Sequence, residues 1–225
     1  MLHHALRAVQ KAVSGGTITY ITNITSTSAL TTYTFTTTGT YSAGLYVVGV
    51  IAENATTSGR TLSSITFGGN SMTSVVNTAS GTGGGGSLIG AIFAYRQTSS
   101  VSAPSIVATF SAGMSRANIG IWRINNNSSD TVFDTDTSSI SGTATSRTNT
   151  VNSLGIGYLG VSILANGANN TTAWTNATER YEAFASGTGG AGADFTTTAT
   201  GDRTITATAT SGSTDGLVLV TGVWN

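Results

Sequence analysis

The sequence predicts an all-β protein, an antiparallel β-sandwich or jelly roll with a short N-terminal helix. Threonine, a β-branched residue that favours strands, makes up about a fifth of the 225 residues. Apolar and polar residues alternate in many segments, as they do in half-buried strands. Turns rich in glycine, serine and asparagine separate these segments at regular intervals, which is typical of sandwiches and jelly rolls.

The N-terminal segment 2–13 is the one predicted helix. Its apolar residues at helical spacing are Leu2, Leu6, Val9 and Val13. A helix this short is marginal in isolation, so we expect its apolar face to dock on a partner surface. That surface belongs either to this chain's own sandwich or to a neighbouring subunit. The predicted organisation is therefore an anchor extension over 1–16 and a single β-sandwich domain over 17–225.

After Gly16 the pattern changes from helical to alternating, and a series of strands is expected. The continuous apolar run 45–51 indicates a central strand covered on both faces. Gly68-Gly69 predicts a tight hairpin between 64–67 and 70–73, because glycine supplies the positive φ of a primed turn. Further strands are expected over 17–20, 32–36, 88–95, 105–110, 118–124, 154–161, 181–185, 194–198, 204–209 and 217–224.

Charged residues are scarce and balanced. They form 8% of the chain, and the formal net charge is +0, whereas ordinary soluble proteins have about 25% charged residues. A neutral surface gains little from counterion release, so no nucleic-acid partner is expected. It also lacks the mutual repulsion that keeps free monomers apart, which favours a place in a permanent assembly.

Cysteine and targeting signals add little positive evidence. The chain has no cysteine, so neither disulfides nor thiolate chemistry are expected. No apolar run approaches the roughly 20 residues of a membrane-spanning helix, so no membrane partner is expected. Residues 1–13 lack the apolar core and cleavage site of a secretory signal, so export by that route is not expected.

Seven segments resemble, in their order, a known group of domains. They are AGLYVVGV (43–50), LSSITFGGNSMTSVV (62–76), LIGAIFAYR (88–96), PSIVATFSAGMSRANIGIWRI (104–124), TNTVNSLGIGYLGV (148–161), YEAFASGTGGAGADFTTTAT (181–200) and TDGLVLVTGVWN (214–225). The group is a divergent set of jelly-roll-like β-sandwich domains of bacteriophage structural proteins and large bacterial surface proteins. The resemblance covers 43–225 and implies a fold and an assembly role, but no catalytic residue. Such domains usually sit in long multidomain chains, whereas this one fills most of the sequence, which favours a stand-alone virion subunit.

Acidic and histidine residues offer few candidates for chemistry. His3 and His4 are adjacent on the predicted helix, so they cannot chelate one metal ion together. Asp130, Asp134 and Asp136 form an acidic cluster, in which Asp134 and Asp136 would share one face of a strand. They are weak calcium candidates, because the glycine and glutamate that complete an EF-hand loop are missing; solvated turn residues are the alternative.

The remaining candidates are a charged segment and the tryptophans. Glu179 and Glu182 flank Arg180, and residues three apart on a strand point to opposite faces, so a solvated charge pair with the arginine is expected. Trp122 and Trp224 lie in apolar strands and are expected in the core. Trp174 lies in a polar stretch, which makes it the best candidate for an exposed aromatic at a partner interface or a glycan site.

Taken together, these features predict a non-catalytic structural protein of a bacteriophage-like virion. The expected roles are a capsid decoration, a head fibre or a tail component, located in the virion and assembled as a homo-oligomer, with a trimer favoured. Expected partners are further copies of the chain and other virion proteins, and no cofactor is expected. The alternative is a carbohydrate-binding or adhesin module on a cell or virion surface, with glycan binding at Trp174.

Overall fold

The computed structural model describes residues 15–82, 85–168, 170–185, 188–210 and 215–225, and it is an all-β structure. Every strand pairing is antiparallel. Within these residues there is no helix, and accordingly none long and apolar enough to cross a membrane. The helix expected over 2–13 lies outside the described residues.

The described strands fall into two consecutive halves of the chain. The first half contains β1 (Thr17–Ser26), β2 (Leu30–Thr36), β3 (Thr40–Tyr41), β4 (Gly44–Asn54), β5 (Leu62–Phe67), β6 (Asn70–Ser71), β7 (Thr73–Gly81), β8 (Ser87–Gln97), β9 (Val101–Ser102), β10 (Ser105–Met114) and β11 (Arg116–Asn125). The second half contains β12 (Asp134–Ser141), β13 (Ser146–Leu154), β14 (Leu159–Asn166), β15 (Thr172–Thr175), β16 (Thr178–Ala185), β17 (Thr188–Thr196), β18 (Gly201–Ala209) and β19 (Gly216–Trp224).

Each half is built from one inner and one outer sheet. The first inner sheet has five strands in the order β1-β11-β4-β8-β7, and the first outer sheet has the order β2-β10-β5-β6. The second inner sheet has five strands in the order β12-β19-β14-β17-β16, and the second outer sheet has the order β13-β18-β15. A short ribbon of β3 and β9 completes the first half.

The two halves share one topology. The long strands of the first half can be matched, in chain order, with the eight strands of the second half: β1, β2, β4, β5, β7, β8, β10 and β11 correspond to β12 to β19. With this matching, the two inner sheets have the same strand order. The two outer sheets also have the same order, except that β6 has no counterpart. The sequence carries traces of this repeat. Gly120 and Trp122 near the end of β11 correspond to Gly222 and Trp224 near the end of β19. The fold is therefore an internal duplication of one sandwich-like unit.

The halves pack through their inner sheets, so the molecule has four layers. Central strands β4 and β14 lie against each other, while edge strand β1 lies against β16 and edge strand β7 against β12. Because β1 corresponds to β12 and β7 to β16, the contact of β1 with β16 is equivalent to the contact of β12 with β7. An approximate twofold rotation that exchanges the two halves would produce this equivalence. At one edge the rings of Tyr20 and Tyr181 stack with centroids 5.8 Å apart. At the other, the hydroxyls of Thr78 and Thr137 are 2.8 Å apart.

Glycines allow side chains of one inner sheet to sink into the other. A Cβ atom on Gly49 of β4 would lie 2.2 Å from Cδ1 of Ile163, which projects from β14. A Cβ atom on Gly190 of β17 would lie 2.4 Å from Cδ1 of Ile51, which projects from β4. Only glycine permits such close approach, so these positions lock the relative placement of the halves.

Each inner-sheet strand alternates its side chains between two cores. Along β4, Tyr46, Val48 and Val50 face the core shared with the first outer sheet. Leu45 and Val47 face the core between the inner sheets. Both faces are therefore dry, which explains why the strand is a continuous apolar run rather than an alternating one. Trp122 and Trp224 are fully buried between the inner sheets, as expected from the sequence.

The strand predictions are confirmed in most of the chain and wrong at one point. The run 45–51 is a central strand, and Gly68 and Gly69 form the hairpin turn with φ values of 55° and 84°. The expected strand 154–161 is instead the end of β13, a turn and the start of β14. Gly157 in this turn has a φ of 83°, which breaks the strand.

Four layers also differ from the two layers of the single sandwich that the sequence led us to expect over 17–225. The physical reason is that each inner sheet is apolar on both faces. An outer sheet covers one face, so the other face must be covered by a second sheet. A tandem copy of the same unit supplies that second sheet.

Candidate functional site

The end of the stack at which residues 126–133 join the two halves contains a groove. We call it the linker-end groove; it has a volume of about 400 Å³. Its walls are Leu45, Thr73, Ser74, Val75, Ala94, Tyr95, Arg96, Asp130, Thr131 and Val132. Its apolar lining consists of the buried Leu45 and Ala94 and the partly buried Val75 and Val132, all of which belong to or pack on the core between the halves. The groove is therefore an opening at the edge of that core.

Arg96 holds the linker against the first inner sheet beside this groove. Its Nε donates to Oδ1 of Asp130 at 2.8 Å, and its Nη2 donates to the same oxygen and, at 2.7 Å, to Oδ1 of Asn127. These hydrogen bonds from Arg96 keep the pKa of the Asp130 carboxyl below its ordinary value. Both side chains are partly exposed, so the pair positions the linker more than it stabilises the fold.

A second ion pair lies at the interface between the halves. The carboxylate of Asp194, on β17, accepts a 3.0 Å hydrogen bond from Nε1 of Trp122 on β11. It also accepts two hydrogen bonds of 2.8 Å from Nε and Nη2 of Arg180. The hydrogen bonds to Asp194 raise the pKa of Arg180. The bidentate pair lies within the second half, between β16 and β17, and the hydrogen bond from Trp122 is the contact of this carboxylate that joins the halves.

This ion pair corrects the expectation for the charged segment around Arg180. The sequence predicted a solvated pair of Arg180 with Glu179 or Glu182, but the arginine binds the buried Asp194 instead. A β-bulge between Glu179 and Tyr181 is the reason, because it breaks the strict alternation of the strand. The carboxylates of Glu179 and Glu182 are consequently near enough to repel: burial, and then Glu182, raise the pKa of Glu179.

A third ion pair lies at the opposite end of the inner sheets. Arg116 donates from Nε to Oε2 of Glu53 at 2.8 Å, and the Glu53 side chain is nearly completely buried. Burial raises the pKa of Glu53 more than the neighbouring Arg116 lowers it, and Asp215 adds a further rise. A buried carboxylate with a raised pKa is a common mark of an active site, but ion pairs inside a fold produce it as well.

Asp134 and Asp136 share one face of β12, as the sequence predicted. Their carboxylates accept backbone hydrogen bonds from the neighbouring edge strand β13: Asp134 Oδ2 from the amide of Asn152 at 2.7 Å, and Asp136 Oδ2 from the amide of Thr150 at 2.6 Å. These oxygens connect the second inner sheet to the second outer sheet. Asp130 is not part of this cluster, because it pairs with Arg96.

Within the described ranges, no three His, Cys, Asp or Glu side chains are grouped so that they could hold a metal ion. A calcium site at Asp134 and Asp136 would therefore need further oxygen ligands of another kind, such as carbonyl groups or water. His3 and His4 lie outside the described residues, and so do the proposed docking residues Leu2, Leu6, Val9 and Val13.

Trp174 lies on β15 of the second outer sheet and is half-buried. Its ring packs against the cores between the second inner and outer sheets, and its Nε1 is buried without a hydrogen-bond partner among the described residues. Only part of the ring faces solvent. Its suggested role at a glycan site or interface stays a prediction.

The structure reveals four groupings that sequence reasoning missed: the linker-end groove and the Arg96–Asp130, Asp194–Arg180 and Arg116–Glu53 pairs. The two residues of each pair are either far apart in the sequence or, for Arg180, on a strand with a β-bulge. In both cases the spacing of the residues along the sequence does not predict that they are in contact. A single charged residue inside the segment 188–196, which is otherwise small and apolar, was the one available clue to Asp194. A lone buried carboxylate requires a cationic or donor partner.

Comparisons with known proteins assign no relative to this chain. No protein-family model matches the sequence, and no curated protein matches it.

Proposed function

We propose that this chain is a structural protein of a bacteriophage-like virion and acts by assembly rather than by catalysis. The observation that carries the proposal is the four-layer body, in which buried and partly buried carboxylates accept hydrogen bonds from neighbouring layers. Asp194 joins the two halves, Asp134 and Asp136 join the second inner and outer sheets, and Arg96 fixes the linker. Such a body has the rigidity that a particle component needs.

The outer faces of the stack support the same role, because they present hydroxyls rather than charges. On the second outer sheet the hydroxyls of Thr148 and Thr206 are 3.0 Å apart, and those of Thr150 and Thr204 are 3.3 Å apart. On the first outer sheet Thr32, Thr34 and Thr36 of β2 are exposed, with the buried Tyr33 and Phe35 between them. Hydroxyls keep a surface hydrated without the long-range repulsion that would separate neighbouring subunits.

Within the virion, we assign the chain to a capsid decoration, a head fibre or a tail component that forms a homo-oligomer, with a trimer favoured. The segment 2–13 is expected to form a helix whose apolar face docks on this chain's own body or on a neighbouring subunit, and a jelly-roll topology is the expected sandwich type. Closed symmetric oligomers are the commonest assemblies of identical chains, and the low charge is compatible with close packing of copies.

Mass spectrometry of virus-like particles tests this function. Particles from a culture of the source are banded in a density gradient, and the chain is quantified in the particle band, the cell pellet and the medium. Co-banding with the particles is expected, together with a light-scattering mass of the purified protein above that of one chain. A monomer that is absent from the particle band, and that binds members of a glycan panel through Trp174, would overturn the proposal in favour of a carbohydrate-binding module.

A further inference from the structure

We propose that the linker-end groove binds the apolar face of this chain's own N-terminal segment 2–13, in cis. The sequence leaves open whether that segment docks on its own body or on a neighbour. The inference goes beyond the proposed function and does not rest on it, because it concerns the isolated chain.

The groove and the start of β1 lie at the same end of the stack. Ile18 on β1 pairs with Ile124 on β11, which in turn pairs with Leu45 in the groove wall. Two strand spacings correspond to about 10 Å. A helix over the 12 residues from 2 to 13 would be about 18 Å long, so a segment that leaves the body near Gly16 has the length to cross this end.

The chemistry of the groove matches the apolar face of the segment. The floor is formed by the buried Leu45 and Ala94, and Val75 and Val132 form apolar walls. Leu2, Leu6, Val9 and Val13 would present branched apolar side chains to these walls, while the polar face, with Arg7 and Lys11, would stay in water.

The same end also exposes apolar side chains that lack cover in the described part of the chain. Phe133 is 42% exposed and Ile156 is 61% exposed, and Phe133 packs edge-on against Tyr158 with ring centroids 4.7 Å apart. Phe133 directly follows the groove residue Val132, and a large apolar side chain exposed beside a groove indicates a contact surface. A segment that crosses this end would reduce the exposure of both.

A short tether favours the chain's own segment over that of a neighbour. A covalently linked segment has an effective concentration of about 1 mM when its linker spans the sites, so at about 10 µM protein docking in cis is favoured about 100-fold over docking in trans. Gly16, where the segment leaves the body, lies against the second inner sheet, since a Cβ atom there would be 3.0 Å from Cδ1 of Leu159.

Cysteine cross-linking of the full chain tests the inference, since the sequence has no cysteine of its own. Ser74→Cys places a thiol in the groove, and it is combined with Leu6→Cys or Val9→Cys on the apolar face. The matched controls are Arg7→Cys, on the polar face, and Thr56→Cys in place of Ser74→Cys. Thr56 follows β4 at the far end of an 11-residue strand that is about 35 Å long.

We expect mild oxidation of dilute protein to give an intramolecular disulfide for the apolar-face pairs. Both control pairs should give at least about tenfold less cross-link, in line with the advantage of the tether. Covalent dimers instead of an intramolecular product would overturn docking in cis and show that the groove receives the segment of a neighbour. Equal yields for Leu6→Cys and Arg7→Cys, or no cross-link with any pair, would overturn the groove as the docking site. None of these outcomes alters the particle-banding test of the virion role.

Discussion

At the scale of single residues, the contact between Gly49 and Ile163 determines how closely the halves approach. A methyl group on Gly49 would lie 2.2 Å from Cδ1 of Ile163, which is fully buried. Gly49→Ala is therefore expected to lower the free energy of unfolding by about 1–3 kcal/mol through overpacking. Urea denaturation measures this loss.

Two controls separate overpacking from other effects of the alanine. Gly113→Ala in β10 is the matched variant, because its nearest new contact would be 3.7 Å away, and it should be neutral or slightly stabilising. In an Ile163→Ala background, Gly49→Ala should cost much less, since the obstructing side chain is gone. An equal cost in both backgrounds would contradict the proposed contact.

Asp194 is the residue whose loss should weaken the interface most directly. It is 2% exposed and is the acceptor for both Trp122 and Arg180. Asp194→Ala leaves a buried indole N–H and a guanidinium without their acceptor, and we expect a loss of about 3 kcal/mol. The exposed Asp202, which accepts a hydrogen bond from the amide of Ser153, is the control, and Asp202→Ala should cost less than about 1 kcal/mol. Similar losses for both variants would show that Asp194 has no special role.

The buried Glu53 predicts a pH dependence of stability. Burial raises the pKa of Glu53 above its ordinary value of 4.5, so the folded state binds this proton more tightly than the unfolded state does. Its contribution to stability is therefore greatest at low pH and decreases as the pH rises from the unfolded pKa through the folded pKa. The free energy of unfolding of the wild type, relative to Glu53→Gln, should fall as the pH rises above about 4.5. A constant or rising difference would contradict this assignment.

At the scale of elements, β12 and β13 connect the second inner and outer sheets through carboxylates. Asp136→Ala should release the amide of Thr150, and Asp134→Ala that of Asn152. Each amide should exchange its hydrogen about fivefold faster, which corresponds to about 1 kcal/mol for a partly exposed charged acceptor. Hydrogen exchange measured by NMR resolves the two amides individually.

The effect of calcium on stability distinguishes between two roles of Asp134 and Asp136, connecting the second inner and outer sheets or binding a metal ion. We expect the melting temperature of the wild type to be the same in excess calcium and in excess chelator, because the carboxylates already accept backbone hydrogen bonds. A rise in melting temperature with calcium that both alanine variants abolish would establish the calcium site instead.

The strands of this fold are predictable from the sequence where each carries its own signal. The apolar run of β4 and the Gly68-Gly69 turn are local patterns, so both were found. The strand expected over 154–161 failed because one glycine, Gly157, decides between continuing the strand and turning it. β12, β13 and β15 are mostly polar strands whose partners are distant in sequence, and the chain has no local feature that reveals them.

The candidate site was less predictable than the strands. Asp134 and Asp136 were placed on one strand face from their spacing alone, and this was confirmed. The carboxylate partners were not found, because backbone amides of β13 and side chains such as Arg96 come close only after the sheets stack. The duplication also escaped notice: pairs such as Gly120-Trp122 and Gly222-Trp224 are short beside the divergent sequence between them.

At the scale of the whole molecule, the shared core between the inner sheets predicts that both halves unfold together. Neither half can expose its inner sheet to water without losing the cover of Leu45, Trp122 and Trp224, all of which are nearly or fully buried between the sheets. Calorimetry should therefore show one transition, with equal calorimetric and van't Hoff enthalpies.

Two truncations at different layers test this cooperativity. Trp122→Ala removes a side chain from the core between the halves, and Phe110→Ala removes one from the core between the first inner and outer sheets. Each should cost about 3–5 kcal/mol. If the halves form one unit, both variants shift a single transition to lower temperature, because the loss of either core destabilises the whole stack. Two separated transitions, with Phe110→Ala lowering only one of them, would show that each half folds independently and that the interface merely joins finished units.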